Sequence, residues 1–453
     1  MLTELSVTNF KSWVEIPQMR LAPITGLFGA NSSGKTSILQ LLLMLKQTVE
    51  SPDRAQALTL GGANVPADLG SFRDLVFEHQ SPPTLSWQLT WNFSKPFTVT
   101  DPATGDEQFP AVHEMSFGAE LGEGKGGRVI VNRMSYELAG HRFSLAHKGA
   151  GGTAYELQSE GNGFEFVRAV GRPASLRAPV KCYGFPDQVK AKYQNAGFLT
   201  DLQFAFEELF AGVYYLGPLR EYPRRNYSWA GAEPADMGQR GERVVDALLA
   251  ARQQGKKVDP GKGKRKIPLE RYVADWLRRL GLIHDFRVEL ISSESNFYRV
   301  RVRKSKSSAP VLITDVGFGV SQILPVLVLC YYVPEGSTIL LEQPEIHLHP
   351  SVQAGLADVF IDAVERRNVQ IIFESHSEHL LRRLQRRVAE EKIDPESAAL
   401  YFCEMDNGRS DLRPLKLDLF GNITNWPDGF FGDEFAEMAA MTKAAMKRKA
   451  QGA

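Results

Sequence analysis

Apolar and polar positions alternate over the first fifty residues in a pattern that predicts two strands and a helix. The strands are expected at Leu5–Phe10 and Ile24–Phe28, and the helix at Lys35–Thr48, where apolar residues recur at helical spacing. A strand–helix alternation returns in the last third of the chain, with strands expected at Ile339–Leu341 and Val369–Phe373. The two ends of the chain therefore predict an α/β core.

The long middle of the chain mixes both periodicities and predicts a mixed α/β insertion. Strands are predicted at Leu85–Phe93, Arg128–Leu138 and Phe164–Val170, and helices at Phe198–Phe210, Arg243–Arg252 and Leu269–Leu280. The polar, basic and Gly-rich residues 253–266 predict an exposed loop. Near the end, Tyr401–Leu415 predicts a hairpin around Asp406-Asn407-Gly408, and a polar helix follows.

Composition excludes several classes of protein. The 453 residues carry 53 acidic and 53 basic side chains, so no overall charge selects for nucleic acid. Three widely spaced cysteines give neither a disulfide framework nor a zinc pattern, which favours a reducing, cytoplasmic setting. The N-terminus lacks the pattern of a signal peptide, and the longest apolar stretch, Ile323–Val333, is too short to span a bilayer. No membrane partner is expected.

Residues 29–36 match the phosphate-binding pattern G-x-x-x-x-G-K-[ST] in full, after an apolar strand and at the start of a helix. In that setting, backbone N–H groups and the helix N-terminus attract the phosphates of ATP. A Gly/Ser-rich turn without ligand is the alternative, but both flanks favour the phosphate loop. The residues predicted to bind nucleotide here are Gly29, Asn31, Ser32, Ser33, Gly34, Lys35, Thr36 and Ser37, with Lys35 on the β- and γ-phosphates and Thr36 on Mg²⁺.

A second apolar strand ends in acidic residues, as a phosphate loop requires. The stretch I-L-L-E-Q-P-E places Glu342 where a carboxylate would hold the magnesium shell, followed by Gln343 and Glu345. Alone, this stretch is better explained by a buried strand with a solvated acidic end, and the functional interpretation depends on the phosphate loop. His347 and His349 follow, but no third or fourth ligand is evident for a zinc site.

Two shorter motifs are ambiguous by themselves. In D-V-G-F-G-V-S-Q, Ser321 is predicted to cap a helix, and the helix start around Gly319 could equally receive a phosphate. His376 follows the strand Val369–Phe373 and could contact a γ-phosphate, although a surface histidine is the simpler interpretation.

The order of these motifs resembles the ABC-type ATPases of the SMC, RecF and OLD kind. Asn9-Phe10-Lys11-Ser12 is similar to a segment that these proteins carry before the phosphate loop, and residues 344–350 (P-E-I-H-L-H-P) resemble the OLD-like branch. Residues 425–431 (N-W-P-D-G-F-F) resemble the C-terminal signature of a bacterial subgroup with a domain of unknown function. The stretch Gly217–Arg220 also recurs in similar proteins, with no role assigned to it.

The resemblance implies an ATPase head that pairs head to tail with a second copy, as a homodimer or higher homo-oligomer, around two ATP molecules. Lys11 and Ser12 would lie near the phosphates, and Gly319 and Ser321 would reach the γ-phosphate of the opposite copy. His376 would act as the switch histidine. The implied parts are residues 1–50 and 306–390 for the head, 51–305 for the insertion and 391–453 for a family-specific tail.

The departure from the family pattern is Gln343, where related proteins usually have the glutamate that activates water. An amide can orient water but cannot accept its proton. We therefore expect slow hydrolysis, or a substitute base at Glu345 or His376. A barrier higher by roughly 3 kcal/mol would slow turnover by about two orders of magnitude.

Two functions compete. The first is an ATP-gated dimeric switch that controls a separately encoded effector, as in bacterial anti-phage defence, because we expect no effector domain within these residues. The second is a DNA-binding ATPase of DNA repair or maintenance. Its candidate phosphate contacts are Arg224, Arg225, the basic loop 256–266, and Arg382, Arg383, Arg386 and Arg387. A transporter subunit ranks last, because the insertion is too long.

Overall fold

A computed structural model describes residues 1–63, 65–100, 107–149, 154–161, 163–169, 175–261, 263–292, 295–427, 430–431 and 434–451. The strands in these ranges are β1 (Leu2–Phe10), β2 (Trp13–Arg20), β3 (Ile24–Gly29), β4 (Thr84–Thr100), β5 (Glu107–Glu123), β6 (Val129–Leu138), β7 (His141–His147), β8 (Tyr155–Glu160), β9 (Val213–Leu216), β10 (Tyr227–Ser228), β11 (Lys257–Val258), β12 (Ile267–Pro268), β13 (Asp285–Leu290), β14 (Phe297–Arg303), β15 (Val311–Leu312), β16 (Thr338–Glu342), β17 (Gln370–Ser375), β18 (Ala398–Asp406) and β19 (Arg409–Pro414). The helices are α1 (Lys35–Glu50), α2 (Phe72–Leu75), α3 (Gln188–Lys192), α4 (Leu199–Ala211), α5 (Val244–Gln253), α6 (Leu269–Arg279), α7 (Gly319–Tyr332), α8 (Pro350–Arg367), α9 (Glu378–Ala389) and α10 (Glu434–Gln451).

A six-stranded sheet forms the centre of the molecule, in the order β19-β18-β3-β17-β16-β9. All neighbours pair in parallel except β18 and β19, which form the predicted antiparallel hairpin. The inner strands β3, β16 and β17 are buried along their whole length, because helices cover both faces of such a sheet. The mixed α/β fold predicted from the sequence is therefore confirmed.

A second sheet of seven antiparallel strands has the order β2-β1-β4-β5-β6-β7-β8. One face carries buried apolar side chains such as Trp87, Leu89 and Phe117, which pack on Phe206 of α4 and on α1. Strands from the middle of the chain extend both large sheets, since β4–β8 continue from β1 and β9 is the edge strand beside β16. The boundaries at residues 50, 305 and 390 stay predictions.

Three local expectations are wrong. Phe164–Val170 was predicted as a strand, but its described residues form only an isolated bridge from Arg168 to Tyr193, and Val170 lies outside the described residues. Residues 253–266 are not simply an exposed loop, because β11 within them pairs with β12. Ser321 does not cap its helix, which begins two residues earlier at Gly319.

The tail packs an aromatic group against the central sheet. Phe430 contacts Phe28 of β3 and stacks on Phe431, while Trp426 lies 5.0 Å from the Phe430 ring. Residues 428 and 429 of the N-W-P-D-G-F-F segment lie outside the described residues. Among the described helices, none has the length and apolar run that crossing a bilayer needs.

Candidate functional site

The predicted site residues meet at one edge of the central sheet. The carboxyl ends of parallel strands lie along a common edge, where ligands of open α/β sheets bind. The phosphate loop follows β3, Glu342 ends β16, and Glu374 lies near the end of β17. Because β3, β17 and β16 are neighbours, the fold brings these three chain segments side by side.

The two glycines of the phosphate loop are required by its backbone. Gly29 has φ 139° and Gly34 has φ 90°, a region that favours glycine. A Cβ atom on Gly29 would lie 2.0 Å from the carbonyl oxygen of Cys403, and one on Gly34 would lie 2.4 Å from Oγ of Ser410. The loop therefore takes its shape through contact with β18 and β19 on its outer side.

Lys35 is buried and folds back over the loop. Its Nζ donates to the carbonyl oxygens of Gly29 at 3.1 Å and Ala30 at 2.5 Å, and to Oγ of Ser33 at 3.4 Å. Burial lowers the pKa of Lys35, while the nearby carboxylate of Glu374 acts in the opposite direction. This ammonium group stands where a phosphate of a bound nucleotide would be expected.

The remaining loop residues differ in their exposure to solvent. Asn31 and Ser32 are exposed, whereas Ser33 is buried, and the backbone N–H of Ser37 donates to the carbonyl of Gly34 at 3.1 Å. Ser32 has φ 60°. Asn31 and Ser32 therefore lie on the solvent-exposed side of the loop, and Ser33 and Lys35 on its buried side.

Lys11 and Ser12 lie beside the phosphate loop. Nζ of Lys11 donates to the side chain of Gln40 in α1, and Oγ of Ser12 is 2.6 Å from Oγ of Ser410. A Cβ on Gly34 would lie 3.0 Å from that Ser12 oxygen, so Ser12 borders the loop directly.

Three glutamates are buried at the ends of β16 and β17. Glu342, Glu345 and Glu374 are 7%, 6% and 1% exposed, and burial raises the pKa of each, that of Glu374 to about 7. Oε1 of Glu342 accepts a hydrogen bond from Tyr215 at 2.8 Å, and Oε1 of Glu345 accepts from the backbone N–H of His376 at 2.7 Å. Oε2 of Glu345 finds no hydrogen-bond partner among the described residues.

Gln343 has a left-handed backbone, with φ 41°, and its N–H donates to the carbonyl of Glu374 at 3.1 Å. This turn leads the chain away from β16 into the segment that carries Glu345. His376 is close enough to Lys35 that the lysine charge adds to burial in lowering the pKa of the histidine. All four predicted catalytic residues therefore lie at the same strand ends.

Three residues of this site were missed or left without a role by the sequence analysis. The first is Tyr215, whose hydroxyl donates to Oε1 of Glu342. The second is Glu374, whose Oε2 accepts a hydrogen bond from Oγ1 of Thr36 at 2.6 Å. Arg220, after β9, is 4% exposed, and within the described part of the chain none of its three guanidinium nitrogens has a hydrogen-bond partner. Burial lowers its pKa to about 10, against the attraction of Tyr215, Glu342 and Glu345.

At the start of α7, around Gly319, the Ser321 hydroxyl that was predicted to contact a phosphate is not exposed. Ser321 is buried, and its hydroxyl donates to the carbonyl of Phe318 at 2.7 Å. Phe318 itself is 39% exposed and contacts the rings of Tyr222 and His347. The exposed side chain at this helix start is thus Phe318, while Ser321 stands behind it.

The arginines considered for DNA contact are paired within the chain. Arg383 and Arg387 share Asp358, with side-chain distances of 2.5 and 2.6 Å. The other pairs are Arg224 with Glu221, Arg225 with Asp315, Arg382 with Glu378, and Arg386 with Glu390. Because these ion pairs neutralise the arginines of α9, they favour a solvated helix face over a DNA-binding surface.

The residues at this edge fit ATP with Mg²⁺. A buried lysine bonded only to neutral oxygens suits a phosphate, and a hydroxyl beside buried carboxylates suits a hard cation. Among the described residues, no group of three or more His, Cys, Asp or Glu side chains is arranged to hold a metal ion by itself. In P-loop enzymes the phosphates supply further ligands to the cation.

Comparison with known proteins agrees with this site. Residues 232–382 match the family described as "AAA domain, putative AbiEii toxin, Type IV TA system", and residues 393–441 match "Protein of unknown function (DUF3696)". The AAA match spans 151 of the 453 residues and includes Glu342 and His376 but not the phosphate loop. Together with the phosphate-binding pattern of residues 29–36, it supports an ATPase of the P-loop class. No curated protein is similar enough in sequence to count as a relative.

Similar solved structures include SMC heads. One is an SMC head bound to the C-winged helix domain of ScpA, at 12% identity and TM-score 0.46, covering 92% of this chain and 98% of that one. Another is the SMC head domain from Thermotoga maritima, at 12% identity and TM-score 0.42, covering 92% and 99%. These likenesses are too weak to argue function from.

Proposed function

We propose that this protein is an ATP-binding, slowly hydrolysing dimeric switch that controls a separately encoded effector protein. The observation that carries the proposal is the pairing of a complete phosphate loop with Gln343 at the position after Glu342. Lys35 and Thr36 would hold the phosphates and Mg²⁺, and the cation would neutralise phosphate charge when bound. The amide of Gln343 would orient water without accepting its proton.

The dimer would form through the exposed residues at the start of α7. Phe318 is exposed there, and Gly317 has open space around it, so a second copy can approach this end of the helix. Gly319 and Ser321 would then face the γ-phosphate held by the other copy's phosphate loop. Because Ser321 is bonded to the Phe318 carbonyl, this contact requires Ser321 to exchange that bond for the phosphate.

The description of the family matched by residues 232–382 names a putative toxin of a type IV toxin–antitoxin system. That name supports a system of two proteins, and with it the proposal of a separate effector and a role in bacterial anti-phage defence. DNA is the alternative partner, and a steep fall of DNA affinity with salt would favour it.

The proposal is tested by light scattering with and without ATP and Mg²⁺. The natural protein should double in mass on ATP, and Lys35→Met should stay at its starting mass, because it loses the charge that holds the phosphates. Lys306→Met is the matched control, since Lys306 is exposed and far along the chain from the loop. An ATP response in Lys35→Met equal to that of the natural protein would refute the proposal.

A further inference from the structure

We propose that Glu374 supplies a second carboxylate to the magnesium site, beside that of Glu342. This inference rests on the proposed ATP-binding function. Glu374 lies on β17 and is the register partner of Glu342 on the neighbouring parallel strand β16. Adjacent strands lie about 4.8 Å apart, so the two carboxylates start from neighbouring backbone positions. The second acid therefore comes from the neighbouring strand, while position 343, where related proteins have the base that activates water, remains an amide.

The contact with Thr36 ties Glu374 to the cation. The Thr36 hydroxyl donates its only hydrogen to Oε2 of Glu374 at 2.6 Å. A hydroxyl has one hydrogen and two lone pairs, so this bond turns the lone pairs away from Glu374. The lone pairs of this oxygen then face the position of a cation. Residues behind a metal ligand commonly orient the ligand in this way. Glu374 acts as a positioning residue for Thr36 and adds a negative charge beside it.

The backbone around Glu374 is fixed by both neighbours. Its carbonyl accepts the N–H of Gln343 at 3.1 Å, and β17 pairs with β3 on the other side, where Glu374 is opposite Leu27. The side chain is 1% exposed and cannot swing into solvent without breaking this packing. The strand pairing and the burial therefore keep the Glu374 carboxylate in one position in the site.

Three buried glutamates meet at this site, and the buried cation Arg220 acts on Glu342 and Glu345. Buried charges in proteins are paired or coordinate metals. The Nζ of Lys35 is bonded to neutral oxygens, so it does not form a direct ion pair with Glu374. A divalent cation at Thr36 offsets the charge of Glu342 and Glu374 together.

The test measures binding of a fluorescent ATP analogue to natural protein and Glu374→Gln, with Mg²⁺ titrated and with EDTA. Loss of a residue behind a metal ligand weakens metal affinity by about 10- to 100-fold. The Mg²⁺ concentration for half-maximal binding should rise by that factor. Affinity in EDTA should stay the same or increase, because one negative charge near the phosphates is gone.

A control and a second variant separate the possible outcomes. Glu335→Gln makes the same change in the turn before β16, where Glu335 is exposed, and should leave both affinities unchanged. If Glu374→Gln fails to fold, Glu374→Asp takes its place, because it keeps the charge but shortens the side chain away from Thr36, and it should also raise the Mg²⁺ requirement. An unchanged Mg²⁺ requirement in Glu374→Gln, or an equal loss in Mg²⁺ and EDTA, overturns the inference. Failure of the natural protein to bind the analogue at all would instead refute the proposed function.

Discussion

Arg220 allows a quantitative prediction about stability and function. Its guanidinium is buried, has no hydrogen-bond partner, and has a pKa lowered by burial to about 10. At about 1.4 kcal/mol for each pKa unit, this lowering means that the folded state is penalised by about 3 kcal/mol for keeping the group charged at neutral pH. This lowered pKa already includes the attraction of the nearby carboxylates of Glu342 and Glu345.

We therefore expect Arg220→Met to stabilise the ligand-free protein. Methionine fills similar space without a charge, so the substitution removes both the penalty expressed in the lowered pKa and the three buried guanidinium nitrogens that have no partner among the described residues. Urea unfolding should show a free energy of unfolding higher by about 1–3 kcal/mol, with an unchanged dependence on urea concentration. The gain should be accompanied by slower ATP turnover, since the carboxylates lose their nearest buried positive charge.

Arg225→Met is the matched control, because Arg225 is exposed and pairs only with Asp315 at 3.2 Å. Its effect on stability should stay within about 0.5 kcal/mol. Destabilisation of Arg220→Met by more than about 1 kcal/mol would show that Arg220 is well compensated in the natural protein. The reasoning from its burial would then be wrong.

Three further substitutions have clear expected effects. Gly34→Ala should weaken ATP binding by at least about 10-fold, because its Cβ would overlap Oγ of Ser410 and strain a φ of 90°; equal affinity in a binding titration would contradict this. Phe430→Ala should lower the free energy of unfolding by about 3 kcal/mol, as a large buried aromatic is lost, and a change below 1 kcal/mol would show that the tail does not stabilise the head. Tyr331→Phe removes a 2.8 Å hydrogen bond to Asp362 and should cost about 1–2 kcal/mol in urea unfolding; no change would mean that Asp362 is satisfied without it.

The phosphate loop could be predicted from the sequence because all its determinants are consecutive residues. The same holds for the strand that ends in Glu342 and for the hairpin around Asn407, whose turn sequence is local. In each case the pattern of apolar residues and the motif at its end point to the same element, and the structure places that element within a few residues of the expected range.

Glu374 and Arg220 could not be found in this way. Their environment depends on which strands become neighbours: β17 inserts between β3 and β16, and β9 joins the edge of the sheet beside β16. The pairings of β17 with β3 and of β9 with β16 link residues more than a hundred positions apart. Glu374 stands two residues before His376, and Arg220 ends the stretch Gly217–Arg220, but neither position reveals its contacts without the strand order.

The incorrect strand at Phe164–Val170 has a physical explanation. Its alternating aromatic residues have the pattern of a half-buried strand, yet Phe164 and Phe166 are partly buried by packing against Phe143 and Phe198 from an irregular segment. Aromatic contacts bury these side chains without a ladder of backbone hydrogen bonds. Alternation alone therefore could not distinguish a strand from a loop that fills the core.

Gln343 is proposed to slow ATP hydrolysis, so that the dimer stays closed around ATP for a long time before turnover. The most direct test is single-turnover hydrolysis with mass measured in parallel, on the natural protein and Gln343→Glu. The account predicts a natural dimer that barely turns over and a variant that hydrolyses about 100-fold faster, which corresponds to roughly 3 kcal/mol in the barrier. Brisk hydrolysis by the natural protein, unchanged by the substitution, would contradict it and move the search for the base to Glu345 and His376.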